Sequence, residues 1–285
     1  MPLLNRIEGA LSRSLLRCAG APPRLQQAMQ HAVFPGGARI RPQLCLAVAL
    51  ACGDDDPALA DAMAAALELL HCASLVHDDL PCFDNADTRR GLPSVHRAFG
   101  ERLAVLSGDA LIVMAFRELA RAGSRHPERL ATVMRWLDEG VGPPDGIVAG
   151  QAWECEPSAR LDQYQRAKTG ALFSAATAGG AAAAGADGHD WFALGANLGE
   201  AYQVADDIRD PHANLLRHAG RHLFDLRHGL AGETLARLGC RWKLSPKPRQ
   251  QRDRGPGDQT QDREHGRAED QPDPRPSLEP RGGAP

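Results

Sequence analysis

The chain has almost no lysine. Of its 33 basic residues only Lys168, Lys243 and Lys247 are lysines, so a single ammonium serves everything from Met1 to Trp242. Aromatic residues make up 5% of the sequence and β-branched runs are few. With alanine and leucine abundant, this favours helices over sheets. An excess of positive charge is also absent: the net charge is −3, which argues against a nucleic-acid surface. The seven cysteines are odd in number and contain no Cys-x-x-Cys. That fits a reduced, cytoplasmic protein better than a disulfide scaffold. The N-terminus lacks a signal peptide's apolar core, and no apolar run reaches about 18 residues free of charge. The expectation is a soluble cytoplasmic chain without a transmembrane segment, long enough for one or two domains around a substantial core.

Against this background one stretch stands out, from His77 through Asp78-Asp79-Leu80-Pro81-Cys82-Phe83-Asp84 to Asp87, Arg89, Arg90 and Gly91. Four aspartates and two arginines fall within thirteen residues, directly after an apolar helical run. Crowded carboxylates repel unless a cation neutralises them. Mg²⁺ takes oxygen ligands and binds through a few carboxylates together with substrate phosphates. Arginine forks suit phosphate oxygens. The stretch therefore reads as a Mg²⁺–diphosphate site.

The rest of the chain reads as helices, over about 1–20, 24–34, 43–52, 58–77, 101–122, 127–140, 160–186 and 190–209, with Gly142-Pro143-Pro144 a loop or helix interruption before the segment 145–156. The run 58–77 is apolar nearly all round, which predicts burial. His71 and His77 near its end are either structural or part of the acidic site. Between the second and third helices, Gly36-Gly37-Ala38-Arg39-Ile40-Arg41-Pro42 offers either an anion site or a plain connection with solvated arginines. Gly108-Asp109 inside a helix suggests tight packing. A second acidic cluster, Gln203, Asp206, Asp207 and Asp210, repeats at i,i+3 and i,i+4 spacing and so shares one helix face. It is either a solvated last turn or a cation site, since carboxylates are unfavourable at a helix C-terminus. The two clusters lie more than 120 residues apart, which suggests facing metal sites in a helix bundle. Diphosphate departure is the chemistry such a site suits. Cations would stabilise the leaving charge, and an apolar cavity would shelter a carbocation.

At this point the chain resembles the trans-polyprenyl diphosphate synthases. Asp78-Asp79-Leu80-Pro81-Cys82-Phe83-Asp84 with Arg89-Arg90-Gly91 is similar to that family's first Asp-rich motif, and Asp206-Asp207-Ile208-Arg209-Asp210 to its second. The Gly36–Pro42 segment, Gly108-Asp109-Ala110-Leu111, Lys168-Thr169-Gly170 and Gln203 follow in family order, over roughly residues 5–210. The resemblance implies an all-α, isoprenoid-synthase-type helix bundle around a central cavity. It implies catalysis through Asp78, Asp79, Asp84, Asp206, Asp207 and Lys168, with Asp78, Asp79, Asp84, Asp206, Asp207 and Asp210 as Mg²⁺ ligands. Arg89, Lys168, Thr169 and Gln203 would contact the allylic substrate, and Arg39, His71 and Arg90 isopentenyl diphosphate. The implied reaction is head-to-tail prenyl transfer by a homodimer, with no nucleic-acid partner. Ala73 and Ser74, five and four residues before Asp78, are the chain-length positions. A small residue at 73 and the widened first motif resemble bacterial carotenoid-pathway geranylgeranyl diphosphate synthases. Farnesyl diphosphate synthase, an inactive or truncated homologue, and a terpene cyclase or head-to-head synthase of the same fold are the alternatives.

Three departures from the family pattern stand beside these matches. Ala38 occupies the place of a usual lysine, and Gln151-Ala152-Trp153-Glu154 replaces the commoner Gln-Ala-Leu-Asp. After Asp210 the chain runs Pro211-His212-Ala213-Asn214 with no Gly-Lys segment. The expectation is a synthase domain over 1–210 with its C-terminal part missing or altered by a shift of reading frame. Residues 211–242 would then be weakly helical. Residues 243–285, with four aliphatic residues, would form a disordered tail.

Overall fold

The computed structural model describes residues 2–34, 36–156, 164 and 166–209. The expected weak helices of 211–242 and the tail 243–285 lie outside the described residues, as does Asp210.

The described residues form an all-α bundle. In order they are α1 (Pro2–Leu16), α2 (Pro23–Val33), α3 (Ile40–Ala51), α4 (Pro57–Asp78), a hairpin of β1 (Thr88–Arg89) and β2 (Leu92–Pro93), α5 (Val95–Phe99), α6 (Glu101–Ala122), α7 (Pro127–Val141), α8 (Ile147–Trp153), a π-helical turn (Arg166–Gly170), α9 (Ala171–Ala183) and α10 (His189–Arg209). α4 is the axis. Asp56 caps it, its carboxylate accepting from the Ala58 N–H at 3.2 Å, and Pro57 occupies the first turn, where no N–H is needed. From Leu59 to Val76 most of its side chains are buried, on every face. α6, α3, α9 and α1 surround it. Among the described residues α4 is long and apolar enough to cross a membrane, but 78% of its apolar window is buried inside the molecule, as in a core helix.

The alanine-rich α9 is buried from Leu172 to Ala183 and packs on α10, α7, α3 and α4. Small side chains let these helices approach closely. The packing expected at Gly108 is present: a Cβ there would lie 2.1 Å from His77 Nε2, so α6 meets the end of α4 at this point.

Two features depart from the helical pattern expected of the sequence. The span read as one helix over 160–186 holds a π turn at Arg166–Gly170 before α9 begins. Such turns mark functional sites in many helices. Between α4 and α6 the chain forms a two-residue hairpin in which Thr88 pairs with Pro93 and Arg89 with Leu92. Its loop is Arg90-Gly91, both at positive φ (53° and 81°), the requirement of a type I′ turn. Only four residues pair, too few for an alternating pattern to show in the sequence.

Candidate active site

The C-terminal end of α4 carries Asp78, and the chain then folds back on it. The Asp84 N–H donates to the Asp78 carbonyl at 3.0 Å, and the Asn85 N–H to the Leu80 carbonyl at 3.0 Å. This fold brings the Asp84 carboxylate to Asp78. α8 delivers a third at its end: single oxygens of Asp78, Asp84 and Glu154 lie within 4.8 Å of one another. Three hard oxygen donors at this spacing fit Mg²⁺. Lys168, in the π turn, supplies a cation beside them, its Nζ 2.6 Å from Glu154 Oε1 and 3.5 Å from Asp78 Oδ1. Glu154 also accepts from Tyr164 Oη at 2.7 Å and from Gln151 Nε2 at 2.9 Å. Burial by itself would lower the Lys168 pKa, but Tyr164, Asp78 and Glu154 outweigh it and hold the ammonium above the ordinary lysine value. Thr169, the next residue, donates from Oγ1 to Gln203 Oε1 at 2.7 Å and so ties the π turn to α10.

Asp79 takes a different place from its neighbours. It is 2% exposed, lies outside the cavity lining, and accepts from Arg89 Nε at 3.0 and 3.2 Å and from Arg89 Nη2. The expected grouping of Asp79 with Asp78 and Asp84 is thus not what the geometry brings together. Successive residues at a helix end point about 100° apart, and Asp79 turns toward the hairpin, where it orients Arg89.

The arginine wall follows from the hairpin. Its left-handed loop sends Arg89 to Asp79 and Arg90 toward α3. Arg90 Nη1 donates to the Gly36 carbonyl, and its guanidinium rests on Gly37, where a Cβ would come within 2.8 Å of Cζ. Arg39 was expected to contact a diphosphate. Its side chain is wholly buried instead, donating from Nε to Glu8 at 2.9 Å, from Nη1 to Glu68 at 2.6 Å and from Nη2 to the Val33 carbonyl at 2.8 Å. Each of its three guanidinium nitrogens already donates to a protein acceptor, so Arg39 is committed to its neighbours where it borders the cavity. Its φ of 48° breaks the local period and turns Arg41, two residues on, into the cavity. Arg41 lies against Phe173, 4.8 Å from the ring centroid, and among the described residues its buried Nε has no hydrogen-bond partner. Burial pushes its pKa below the usual arginine value, and neighbouring Arg90 pushes the same way against the opposing pull of Glu68 and Tyr202.

His71 sits among these cations. Burial, then Arg41, Arg90, Arg89 and Arg39, hold its pKa well below the ordinary histidine value, so the folded protein carries a neutral imidazole at neutral pH. The sign follows: below the unfolded pKa of about 6.5 the unfolded chain takes up a proton that the folded one refuses, and stability is lost as pH falls. His71→Gln should flatten that loss by up to about 1.4 kcal/mol per pH unit below about 6.5. Thermal melts of both proteins between about pH 7 and pH 5 read it directly, and parallel curves would contradict the neutral imidazole.

Both halves open onto one cavity of about 860 Å³, near the large end for small-molecule sites. Its apolar part is lined by Leu70, Ala73, Ile112, Val141, Ile147 and Leu172. Arg39, His71, Ala73, Ser74, Asp78, Arg89, Arg90, Lys168, Thr169 and Gln203 all border it. Asp206 and Asp207 fall in the last turn of α10, the helix that brings Gln203 to the same cavity. The residues that sequence reasoning missed as site members are Arg41 and Glu154. The signals available for them were the second arginine of the Gly-Gly segment and the departure at Gln151–Glu154.

An all-α bundle whose central cavity is lined by carboxylates, a lysine and several arginines beside an apolar part has the architecture of an isoprenoid synthase. The Polyprenyl synthetase family matches residues 22–232. The chain is 58% identical to a geranylgeranyl diphosphate synthase of Cereibacter sphaeroides over 212 residues, 74% of either chain. It is 55% identical to one of Rhodobacter capsulatus, covering 74% of this chain and 73% of that one. An FPP/GFPP synthase structure from Zymomonas mobilis superposes with a TM-score of 0.68 at 33% identity, covering 83% of this chain and 89% of that one. The chain belongs to the polyprenyl synthetase family.

Proposed function

We propose that this protein condenses isopentenyl diphosphate head-to-tail with allylic diphosphates, using Mg²⁺, and releases geranylgeranyl diphosphate for carotenoid or other isoprenoid synthesis. The observation that carries this reading is the one cavity whose lining joins Asp78, Lys168, Arg89, Arg41, His71 and Arg90 to an apolar pocket. Asp78, Asp84 and Glu154 are the residues that would hold Mg²⁺ at the end of α4, with Asp206, Asp207 and Asp210 of the second acidic cluster as the other set. The metal supplies charge stabilisation for the departing diphosphate.

The chain's own groups do the rest. Lys168, Arg89, Thr169 and Gln203 hold the allylic diphosphate and orient its C1 toward the second substrate. Arg90 and Arg41 hold isopentenyl diphosphate, with neutral His71 offering a ring nitrogen as donor. Leu70, Ala73, Ile112 and Leu172 keep water from the allylic cation while the isopentenyl double bond attacks it. The proton lost afterwards goes to the departed diphosphate.

The test is incubation of purified protein with farnesyl diphosphate, labelled isopentenyl diphosphate and Mg²⁺. Label in a C20 product is the expected result. Label that stops at C15 when geranyl diphosphate is supplied points to a farnesyl synthase, and no incorporation overturns the reading. We place the catalytic unit in residues 1–210 and the protein in the cytoplasm, and take the sequence after Asp210 to have shifted frame. Resequencing that finds no other frame encoding a Gly-Lys segment and apolar helices would remove that last idea. We further propose a homodimer, supported by the exposed apolar residues Val105, Leu106 and Val113 along α6. A monomeric mass by sedimentation would exclude it.

A further inference from the structure

The cationic wall of the cavity contains a carboxylate that anion binding does not call for. Glu68 lies on α4, ten residues before Asp78, with its side chain 3% exposed. It lines the same cavity as Arg41, His71 and Arg90. By charge alone a buried carboxylate there weakens the hold on a diphosphate, and burying it carries a desolvation cost. Its partners indicate what it does instead. Oε1 accepts from Arg39 Nη1 at 2.6 Å and lies 3.9 Å from Arg90 Nη2.

Arg39 is the fixed end of this chain of charges. Glu8, the Val33 carbonyl and Glu68 each take one of its nitrogens, and its side chain is wholly buried. Clamped by Arg39, Glu68 holds its carboxylate beside the Arg90 guanidinium. The Gly36 carbonyl accepts from another nitrogen of Arg90, and Gly37, lacking a side chain, leaves room for the guanidinium to lie on the backbone. An arginine side chain loses much rotamer freedom when it is fixed, and ordering it in advance removes that cost from ligand binding. Glu68 also counters the mutual repulsion of Arg41 and Arg90, which face the same space.

We propose that Glu68, clamped by Arg39 and acting through Arg90, is a positioning residue for isopentenyl diphosphate; the proposal rests on the reading of the cavity given above. Arg39 then belongs to the support of the site and serves Arg90 through Glu68.

Glu68→Gln keeps the shape and removes the charge. The loss should fall on KM for isopentenyl diphosphate, about tenfold, while KM for the allylic diphosphate moves less than about twofold. In an Arg90→Ala background the same change should add less than about twofold, the non-additivity expected of residues acting as a unit. Glu68→Asp, which retains the charge on a shorter arm, should recover part of the loss, and it serves as the second variant where glutamine impairs folding. A merely structural role would lower the melting temperature and raise both KM values together, and that result would overturn the proposal. Titration calorimetry with isopentenyl diphosphate alone separates the two layers of the argument. Wild-type protein that fails to bind it overturns the reading of the cavity. Wild-type protein that binds while Glu68→Gln binds equally well overturns the role of Glu68 alone.

Discussion

Replacing Asp78 with alanine should lower kcat by about a thousandfold or more, on the order of 4 kcal/mol of transition-state stabilisation. Asp78 is 7% exposed and ends the buried central helix, so its carboxylate is held by an element packed on every side. It is the member of the carboxylate trio that also lies 3.5 Å from Lys168. Removing it takes away a ligand oxygen and frees Lys168 to pair with Glu154 alone, which pulls the ammonium away from the departing diphosphate. Because the lost interaction strengthens as charge develops, kcat and kcat/KM should fall together. The loss should also weaken Mg²⁺ binding, measured by calorimetry in the presence of inorganic diphosphate. A variant with unchanged kcat and unchanged metal affinity would refute the role. A melt within a few degrees of wild type guards against a folding defect.

Replacing Ala73 with phenylalanine should change the product rather than the rate of the first step. Ala73 lies on the cavity face of α4, five residues before Asp78, roughly 7.5 Å down the helix axis. It is 1% exposed and faces the apolar pocket shared with Ile112, Val141 and Leu172. A ring at this position fills the space that the fourth isoprene unit needs. Denying burial to five carbons removes roughly 4 kcal/mol at about 0.8 kcal/mol per carbon group. That amount is enough to shift the partition between elongation and release by orders of magnitude. With geranyl diphosphate as the allylic substrate, C15 should become the main product and C20 a trace, read by chromatography of labelled alcohols. Continued C20 synthesis at the wild-type proportion would mean that the chain grows along another wall. Overpacking at a buried site commonly costs about 1–3 kcal/mol of stability, so a modest drop in melting temperature is expected alongside.

Much of this site was legible in the sequence because its parts are local. An apolar run ending in Asp78 predicts a buried helix with a carboxylate at its tip. Lys168 is conspicuous as the sole lysine before Lys243. Ala73 is located by counting turns back from Asp78. Where the reading of the site departed from the structure, contacts between segments decided the outcome. Arg39 and Arg41 are two residues apart and chemically identical, so no periodicity says which faces the cavity. The positive φ of Arg39 and the carboxylates of Glu8 and Glu68 decide it. Asp79 is adjacent to Asp78 in every sense but direction, and Arg89 from the hairpin draws it away.

Glu154 joins Asp78 and Asp84 only because α8 packs against the π turn that carries Lys168. The sequence by itself thus determined the helical class, the central helix and the types of group needed to hold a diphosphate. These depend on composition and on short-range spacing along a helix. Tertiary packing alone decided which arginine meets the cavity, which carboxylates converge and which are spent orienting a neighbour. Those outcomes depend on where one helix end falls against another, and no local pattern encodes that distance.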